Sequence, residues 1–188
     1  MIEISVDQLA ERMQQWGFLE EPAPEPALRW IATFIQAYSE RLNVIEDAQP
    51  IIASLRAEAC VIPALELERL RTRDVLFFLD TVAQYIDHAP ELRGLAVMRD
   101  VMIMGKEFAI APEDALLAAR LAITGLREGP SLEDLFVLLG HDRLLMRIGA
   151  VNSKLLHGRG LEPIRYGPDG APFEPIRAKR QPPLDPPV

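Results

Sequence analysis

Apolar residues recur at intervals of three and four along most of this chain of 188 residues, and this constrains its fold more than any other feature. In residues 27–42, for example, the apolar side chains fall on one face of a helix. No segment alternates between apolar and polar residues for long enough to predict a sheet. The pattern predicts an all-α protein of roughly eight to ten helices.

Capping residues and helix breakers predict where several helices begin and end. Ser5 and Gln8 have the spacing of a capping box at the start of the first helix. Gly140 is predicted to separate a helix over residues 132–139 from a last helix over residues 141–156.

A further helix is predicted between a proline and a glycine near the middle of the chain. Pro90 with Glu91 is typical of a helix start, and the periodic pattern then runs to about Met104. Gly105 is expected to end this helix, because glycine favours the position that follows a last helical turn.

The composition changes near the carboxyl terminus. Residues 161–188 contain eight of the 16 prolines, which predicts an extended, partly disordered tail over residues 158–188. Ahead of this tail we expect a two-part helical bundle or cage, with subdomains over residues 1–90 and 91–157.

Charge and cysteine content limit the possible function and location. The net charge of −8 argues against a protein that coats nucleic acid without specificity, so any RNA contact must be local. The single cysteine, Cys60, excludes an internal disulfide and favours a reducing, cytoplasmic setting. No apolar run reaches the about 18 residues of a membrane span, and the amino terminus is unlike a signal peptide.

The motifs that usually identify an enzyme are absent. The chain has no P-loop, no dinucleotide-binding glycine pattern, and no HExxH, CxxC or GxSxG motif. His88 and Cys60 are interpreted as structural residues. The sequence therefore predicts no catalytic residue, no metal site and no cofactor.

The last predicted helix is locally basic. Residues 141–160 carry four cations and one anion, a local charge of +3 in an acidic chain. Several cations have helical spacing and, with Arg127 upstream, could form a face for an RNA backbone. The alternative is that they complement the helix end and lie in solvent. The predicted backbone contacts are Arg127, Arg143, Arg147 and Lys154, and Arg159 is a further cation of this segment.

A longer pattern extends over residues 120–148. It reads Arg-Leu-Ala-Ile-Thr-Gly from Arg120, then a Gly-Pro loop, then Phe-Val-Leu-Leu-Gly-His-Asp-Arg-Leu-Leu-Met-Arg-Ile. This resembles the carboxyl-terminal anticodon-binding region of bacterial glutamyl-tRNA synthetases, whose pattern is LRVALTG, a short Gly/Pro loop and LFxxLxLLGKERxLxRL. His141 and Asp142 replace the Lys and Glu of that pattern.

Two upstream segments extend the resemblance to residues 1 to about 157, and it is weakest between 60 and 110. Ser-Val-Asp-Gln-Leu-Ala-Glu-Arg, from Ser5, is similar to the family's SxEELAER helix, and Ser-Glu-Arg-Leu-Asn-Val-Ile-Glu, from Ser39, to its RxRxxTLxE helix. The stretch over residues 105–116 looks longer than usual for the family, and the proline-rich tail is extra.

The resemblance implies that the chain binds the anticodon loop of a glutamate tRNA. It places Arg41 at the third anticodon base, Arg120 at the first bases and Leu132 against a base, with Arg93 as a further contact across a possible insertion. The His-Ile-Gly-His and Lys-Met-Ser-Lys-like signatures of the catalytic half are absent. The resemblance therefore implies no aminoacylation by this chain alone, and a separate catalytic half as a possible partner.

Structural alternatives exist for each of these residues. Arg41 could pair with Glu40 or Glu46, Arg120 could be a cation at a helix end, and Leu132 could pack in the core. The runner-up function is a protein-interaction module that keeps the fold without RNA binding, consistent with the net charge and the tail. Clustering of four arginines on one concave face would favour RNA binding, and scattering would favour the interaction module. The four are Arg41, Arg93, Arg120 and Arg143.

Overall fold

The computed structural model describes residues 3–157 and 166–179, and this part of the chain is all-α, as predicted. Two 3-10 turns, Ser39–Arg41 and Ile45–Asp47, lie between the second and third helices. The helices are α1 (Val6–Gln15), α2 (Glu25–Tyr38), α3 (Ala48–Arg56), α4 (Ala64–Leu70), α5 (Arg73–His88), α6 (Val97–Glu107), α7 (Pro112–Thr124) and α8 (Leu132–Leu156).

The capping box and the break at Gly140 are confirmed. The Ser5 hydroxyl oxygen accepts a 3.2 Å hydrogen bond from the Gln8 amide, and the Gln8 side chain accepts one of 2.9 Å from the Ser5 amide. Gly140 has φ 73° and ψ 167°, which are not helical angles, so α8 is broken at the predicted position.

The predicted start and end of α6 are wrong. The helix begins at Val97 because residues 90–96 form a turn, in which Gly94 has a left-handed φ of 82° and Leu92 is buried. Gly105 lies inside α6 and does not end it. A Cβ at Gly105 would be 2.5 Å from the Cβ of Ala115, so this glycine allows α6 and α7 to pack closely.

The core is built around α5 and α8. Helix α5 packs against α6, α7 and α8. Helix α2, which comes earlier in the sequence, also packs against α8. Phe34, Phe78 and Phe136 are completely buried in one connected apolar cluster. This cluster includes residues from both predicted subdomains, and the division at residue 90 stays a prediction.

In the described part of the tail, residues 166–172 form a turn closed by a bridge between Tyr166 and Pro172, and residues 173–179 run extended along the helices. The Ile176 amide donates a 3.0 Å hydrogen bond to the Arg69 carbonyl, and the Thr72 hydroxyl donates one of 3.1 Å to the Ile176 carbonyl. Phe173 and Ile176 are buried. This docking was not predicted, because proline content gives no information about long-range contacts.

No helix in the described ranges is both long enough and apolar enough to cross a membrane.

Candidate RNA interface

A pocket of about 340 Å³ opens where α2, α3, α7 and α8 meet the connection between the last two helices. This connection, residues 125–131, is called the pocket loop below. The pocket lining is mainly apolar with a few strongly polar groups, a composition typical of ligand sites. It includes Tyr38, Arg41, Ile51, Arg120, Leu126 and Gly129.

Arg41 reaches the pocket from the 3-10 turn that follows α2. Its neighbour Leu42 is buried and fixes this turn on the core. Arg41 itself is exposed, and its Nη2 donates a 3.1 Å hydrogen bond to the carbonyl oxygen of Gly129. The alternative of an ion pair with Glu40 or Glu46 is not observed within the described residues, and Glu46 pairs with Arg12 at 3.4 Å.

Arg120 lines the same pocket from the carboxyl-terminal part of α7. Among the described residues its Nη1 is buried and has no hydrogen-bond partner. Burial lowers the pKa of the Arg120 guanidinium, and the nearby charge of Arg41 lowers this pKa further. The group remains charged at neutral pH, because an arginine is not deprotonated in proteins. A buried donor without an acceptor is costly, so a ligand that supplies an oxygen or nitrogen acceptor would be stabilised here.

Tyr38 adds an aromatic ring to the pocket. Along α2, Trp30 stacks on Phe34 at 5.6 Å between ring centroids, and Phe34 stacks on Tyr38 at 4.9 Å. Burial raises the pKa of the Tyr38 hydroxyl, which the charge of Arg41 partly opposes, so the ring stays neutral at physiological pH. Sequence reasoning treated this residue only as part of an apolar face. Aromatic residues at positions i, i+4 and i+8, the last of them three residues before Arg41, are a signal that could have identified it.

Arg147 is not on an exposed face, which corrects the prediction that it contacts an RNA backbone. Its side chain is 2% exposed. Its guanidinium donates hydrogen bonds to the carbonyls of Ile123 at 2.6 Å, Ser54 at 2.6 Å and Ala57 at 2.8 Å. These carbonyls lie at the ends of α7 and α3, so Arg147 fixes two walls of the pocket from inside the core.

Two of the four residues predicted to contact bases lie outside the pocket lining. Leu132 is 1% exposed and packs in the core, as the structural alternative proposed. Arg93 is exposed in the turn before α6, and its Nη2 donates a 3.0 Å hydrogen bond to the Thr33 hydroxyl on α2. The structure therefore brings Arg41 and Arg120 together and leaves Arg93 apart from them.

The remaining predicted backbone cations have different surroundings, and their contact with RNA stays a prediction. Arg127 pairs with Glu66 at 2.9 Å, and Arg143 donates a 3.0 Å hydrogen bond to the carbonyl of Arg56. Lys154 is exposed near the end of α8. Arg159 lies outside the described residues.

Titratable side chains do not converge elsewhere on a candidate metal centre. Within residues 3–157 and 166–179, no group of three or more His, Cys, Asp or Glu side chains is placed to hold a metal ion. Burial raises the pKa of the Cys60 thiol, whose sulfur lies 3.6 Å from the carbonyl oxygen of Ala122. These features fit a structural cysteine.

A known family matches most of this all-helical chain, including the arginine-lined pocket. The family described as "Anticodon binding domain" matches residues 8–151, and the chain belongs to this family. The resemblance found in the sequence is thereby confirmed.

Curated relatives are glutamate–tRNA ligases. Glutamate–tRNA ligase 2 of Caldanaerobacter subterraneus subsp. tengcongensis is 21% identical over 150 residues, which are 80% of this chain and 31% of the ligase. The ligase of Chloroflexus aurantiacus is 23% identical over 163 residues, 81% of this chain and 32% of the ligase. The ligase of Lactobacillus acidophilus is 21% identical over 144 residues, 76% of this chain and 29% of the ligase. The chain thus spans about a third of the length of the curated relatives it matches.

Proposed function

We propose that this chain binds the anticodon loop of glutamate tRNA in the cytoplasm and supports glutamyl-tRNA aminoacylation without catalysing it alone. The observation that carries the proposal is the buried, unpartnered Nη1 of Arg120 in the pocket that Arg41 and Tyr38 also line. The matched glutamate–tRNA ligases support the choice of tRNA. The catalytic half would be supplied by a separate partner or by the remainder of a longer protein.

The chemistry of the pocket suits an unstacked base. Bases of single-stranded loops are recognised by stacking and by hydrogen bonds along their edges. Tyr38 offers a ring face, and stacking of this kind contributes about 1 to 3 kcal/mol per base. A guanidinium is planar with fixed donors, so Arg41 and Arg120 can distinguish acceptors on a base edge better than an ammonium could.

The acidic character of the chain supports a local mode of binding. With a net charge of −8, the protein as a whole repels a polyanion. Affinity must then come from the pocket and from a few cations outside its lining, such as the exposed Arg93 and Lys154 and the half-buried Arg143. A protein of this kind would be selective, because non-specific RNA binding depends mainly on net positive charge.

The direct test is filter binding of the full chain to glutamate tRNA and to glutamine tRNA. We expect saturable binding to the first, weaker binding to the second, and competition by an isolated anticodon stem-loop of glutamate tRNA. The same preparation should show no ATP–pyrophosphate exchange with glutamate. Absence of tRNA binding by folded protein would favour the interaction module instead. One observation supports that alternative. Arg127, a predicted contact of the RNA backbone, is already paired with Glu66 and is therefore less available to a phosphate.

A further inference from the structure

The docked tail meets the helices at Arg69, the residue before the end of α4. The Arg69 Nη1 donates a 3.1 Å hydrogen bond to the carbonyl of Glu174, and its guanidinium lies 5.3 Å from the centre of the Phe173 ring. The Arg69 carbonyl accepts the Ile176 amide. The orientation of the Arg69 side chain is therefore set largely by the tail.

Glu66, one turn earlier on α4, bridges Arg69 and the pocket loop. Its Oε2 lies 3.3 Å from Nε of Arg69, a charge contact without hydrogen-bond geometry. Its Oε1 accepts a 2.9 Å hydrogen bond from Nε of Arg127. The Glu66 side chain is 14% exposed, so solvent screens these contacts less than it would on an open surface.

Arg127 is one of a few anchors of the pocket loop. Two residues later, the carbonyl of Gly129 accepts the hydrogen bond from Arg41. Near the start of the loop, the Leu126 amide donates to the Thr124 hydroxyl at 3.1 Å. A contact network therefore runs from the tail through Arg69 and Glu66 to the loop that shapes the candidate RNA site.

We infer that Glu66 is a positioning residue that couples the docking of the tail to the conformation of the pocket loop. When the tail is docked, Arg69 is directed toward Phe173 and Glu174, which leaves one oxygen of Glu66 for Arg127. Without the tail, the flexible Arg69 can take both carboxylate oxygens in a bidentate pair, which is the favoured geometry for arginine. Arg127 then loses its partner and the loop loses an anchor. Only the consequence for RNA rests on the proposed function.

Hydrogen exchange of the full-length chain, without RNA, tests the coupling. Phe173→Ala removes the ring beside Arg69, and Glu66→Gln leaves one acceptor oxygen where two are needed. Because a partly exposed ion pair contributes up to about 1 kcal/mol, each variant should speed exchange of the loop amides about two- to fivefold. The double variant should exchange no faster in the loop than Glu66→Gln alone, since both changes act through the same contact.

Arg127→Met interrupts the network from the loop. Because coupling between two sites is reciprocal, this variant should speed exchange of the Ile176 amide by a similar factor. Arg127 also lines one cavity with Glu174 and Ile176 of the tail, so the variant is repeated in the Glu66→Gln background, where a route through Glu66 predicts no further effect. Lys179→Ala is the matched control in the tail, since this side chain is 69% exposed and only approaches Glu113 at 3.9 Å. Exchange of the pocket loop should not change in this variant.

The coupling is overturned if Phe173→Ala speeds exchange of Ile176 but leaves the pocket loop unchanged, or if its effect on the loop persists in the Glu66→Gln background. These outcomes are separate from the proposed function. A coupled loop in a protein that binds no anticodon stem-loop would remove the function and keep the coupling. RNA binding with an uncoupled loop would keep the proposed function and remove the coupling.

Discussion

Arg41 anchors the pocket loop through a 3.1 Å hydrogen bond from its Nη2 to the carbonyl oxygen of Gly129. A guanidinium carries five donors in one plane, so this bond orients the plane and leaves other donors for a ligand. The residue that the family pattern places at an anticodon base is thus held by backbone. No ion pair of Arg41 is observed within the described residues, although Glu128 lines the same pocket.

Gly129→Ala should weaken RNA binding and also strain the pocket loop, because Gly129 has a φ of 158° that residues with a Cβ rarely adopt. The added Cβ would be 3.0 Å from Nη1 of Arg120, so this guanidinium would have to shift from its place in the pocket. We expect the affinity for the anticodon stem-loop to fall about three- to tenfold, since displacing one hydrogen-bonding group costs about 1 kcal/mol. Titration of a fluorescent stem-loop measures the change.

Gly149→Ala is the control for this substitution. A Cβ at Gly149 meets nothing within 4 Å in the described structure, and the residue lies on α8. It should leave RNA binding unchanged and stabilise the fold by about 0.5 to 1 kcal/mol, as alanine does within a helix. Equal losses of binding in both variants would contradict the steric argument at Gly129.

Arg147→Met should destabilise the protein strongly. The change leaves the buried carbonyl of Ile123 and the partly buried carbonyls of Ser54 and Ala57 without this donor. An unsatisfied buried group costs about 1 to 3 kcal/mol and a lost hydrogen bond about 0.5 to 1.5 kcal/mol, so the free energy of unfolding should fall by roughly 2 to 5 kcal/mol. Urea unfolding followed by circular dichroism gives this value.

Arg143→Met provides the comparison on the same helix. Arg143 donates one exposed hydrogen bond, to the carbonyl of Arg56. Its loss should cost less than about 1.5 kcal/mol. Similar stability losses for the two variants would mean that the carbonyl contacts of Arg147 contribute little.

Local signals in the sequence predicted local structure well. The Ser5 capping box and the break at Gly140 depend on residues within one helical turn, and both are confirmed. Gly105 was misjudged because its role is set by Ala115 on another helix. A glycine that permits close packing and a glycine that ends a helix have the same local pattern.

The candidate site was also predictable only in part, because it depends on contacts between residues that are distant in sequence. Family motifs identified Arg41 and Arg120, which line one pocket. Helical spacing placed Arg147 on a face with Arg143 and Lys154, but spacing alone does not determine which face of a helix is buried. The role of Glu66 depends on two partners distant in sequence, so no local pattern could indicate it.

The salt dependence of tRNA binding should be modest. Of the predicted backbone cations, Arg143 and Lys154 remain candidates in the described structure, because Arg127 is paired with Glu66. At roughly −0.7 per contact for single strands, the logarithm of the binding constant should fall against that of salt concentration with a slope of about −1.4. Lys154→Gln should make the slope shallower by about 0.7. A slope near zero with intact affinity would exclude these backbone contacts.

Arg41→Gln is the sharpest test of base recognition. If the guanidinium pairs with the third anticodon base, its loss should cost about 1 to 3 kcal/mol, a roughly 5- to 150-fold loss of affinity for glutamate tRNA. The preference over a tRNA that differs only at that base should also shrink, because a glutamine amide can both donate and accept. Arg99→Gln is the control, since Arg99 is 69% exposed, pairs with Asp100 and lies outside the pocket lining. Equal losses on both tRNAs would make Arg41 a backbone or packing contact, and no loss on either would favour the interaction module.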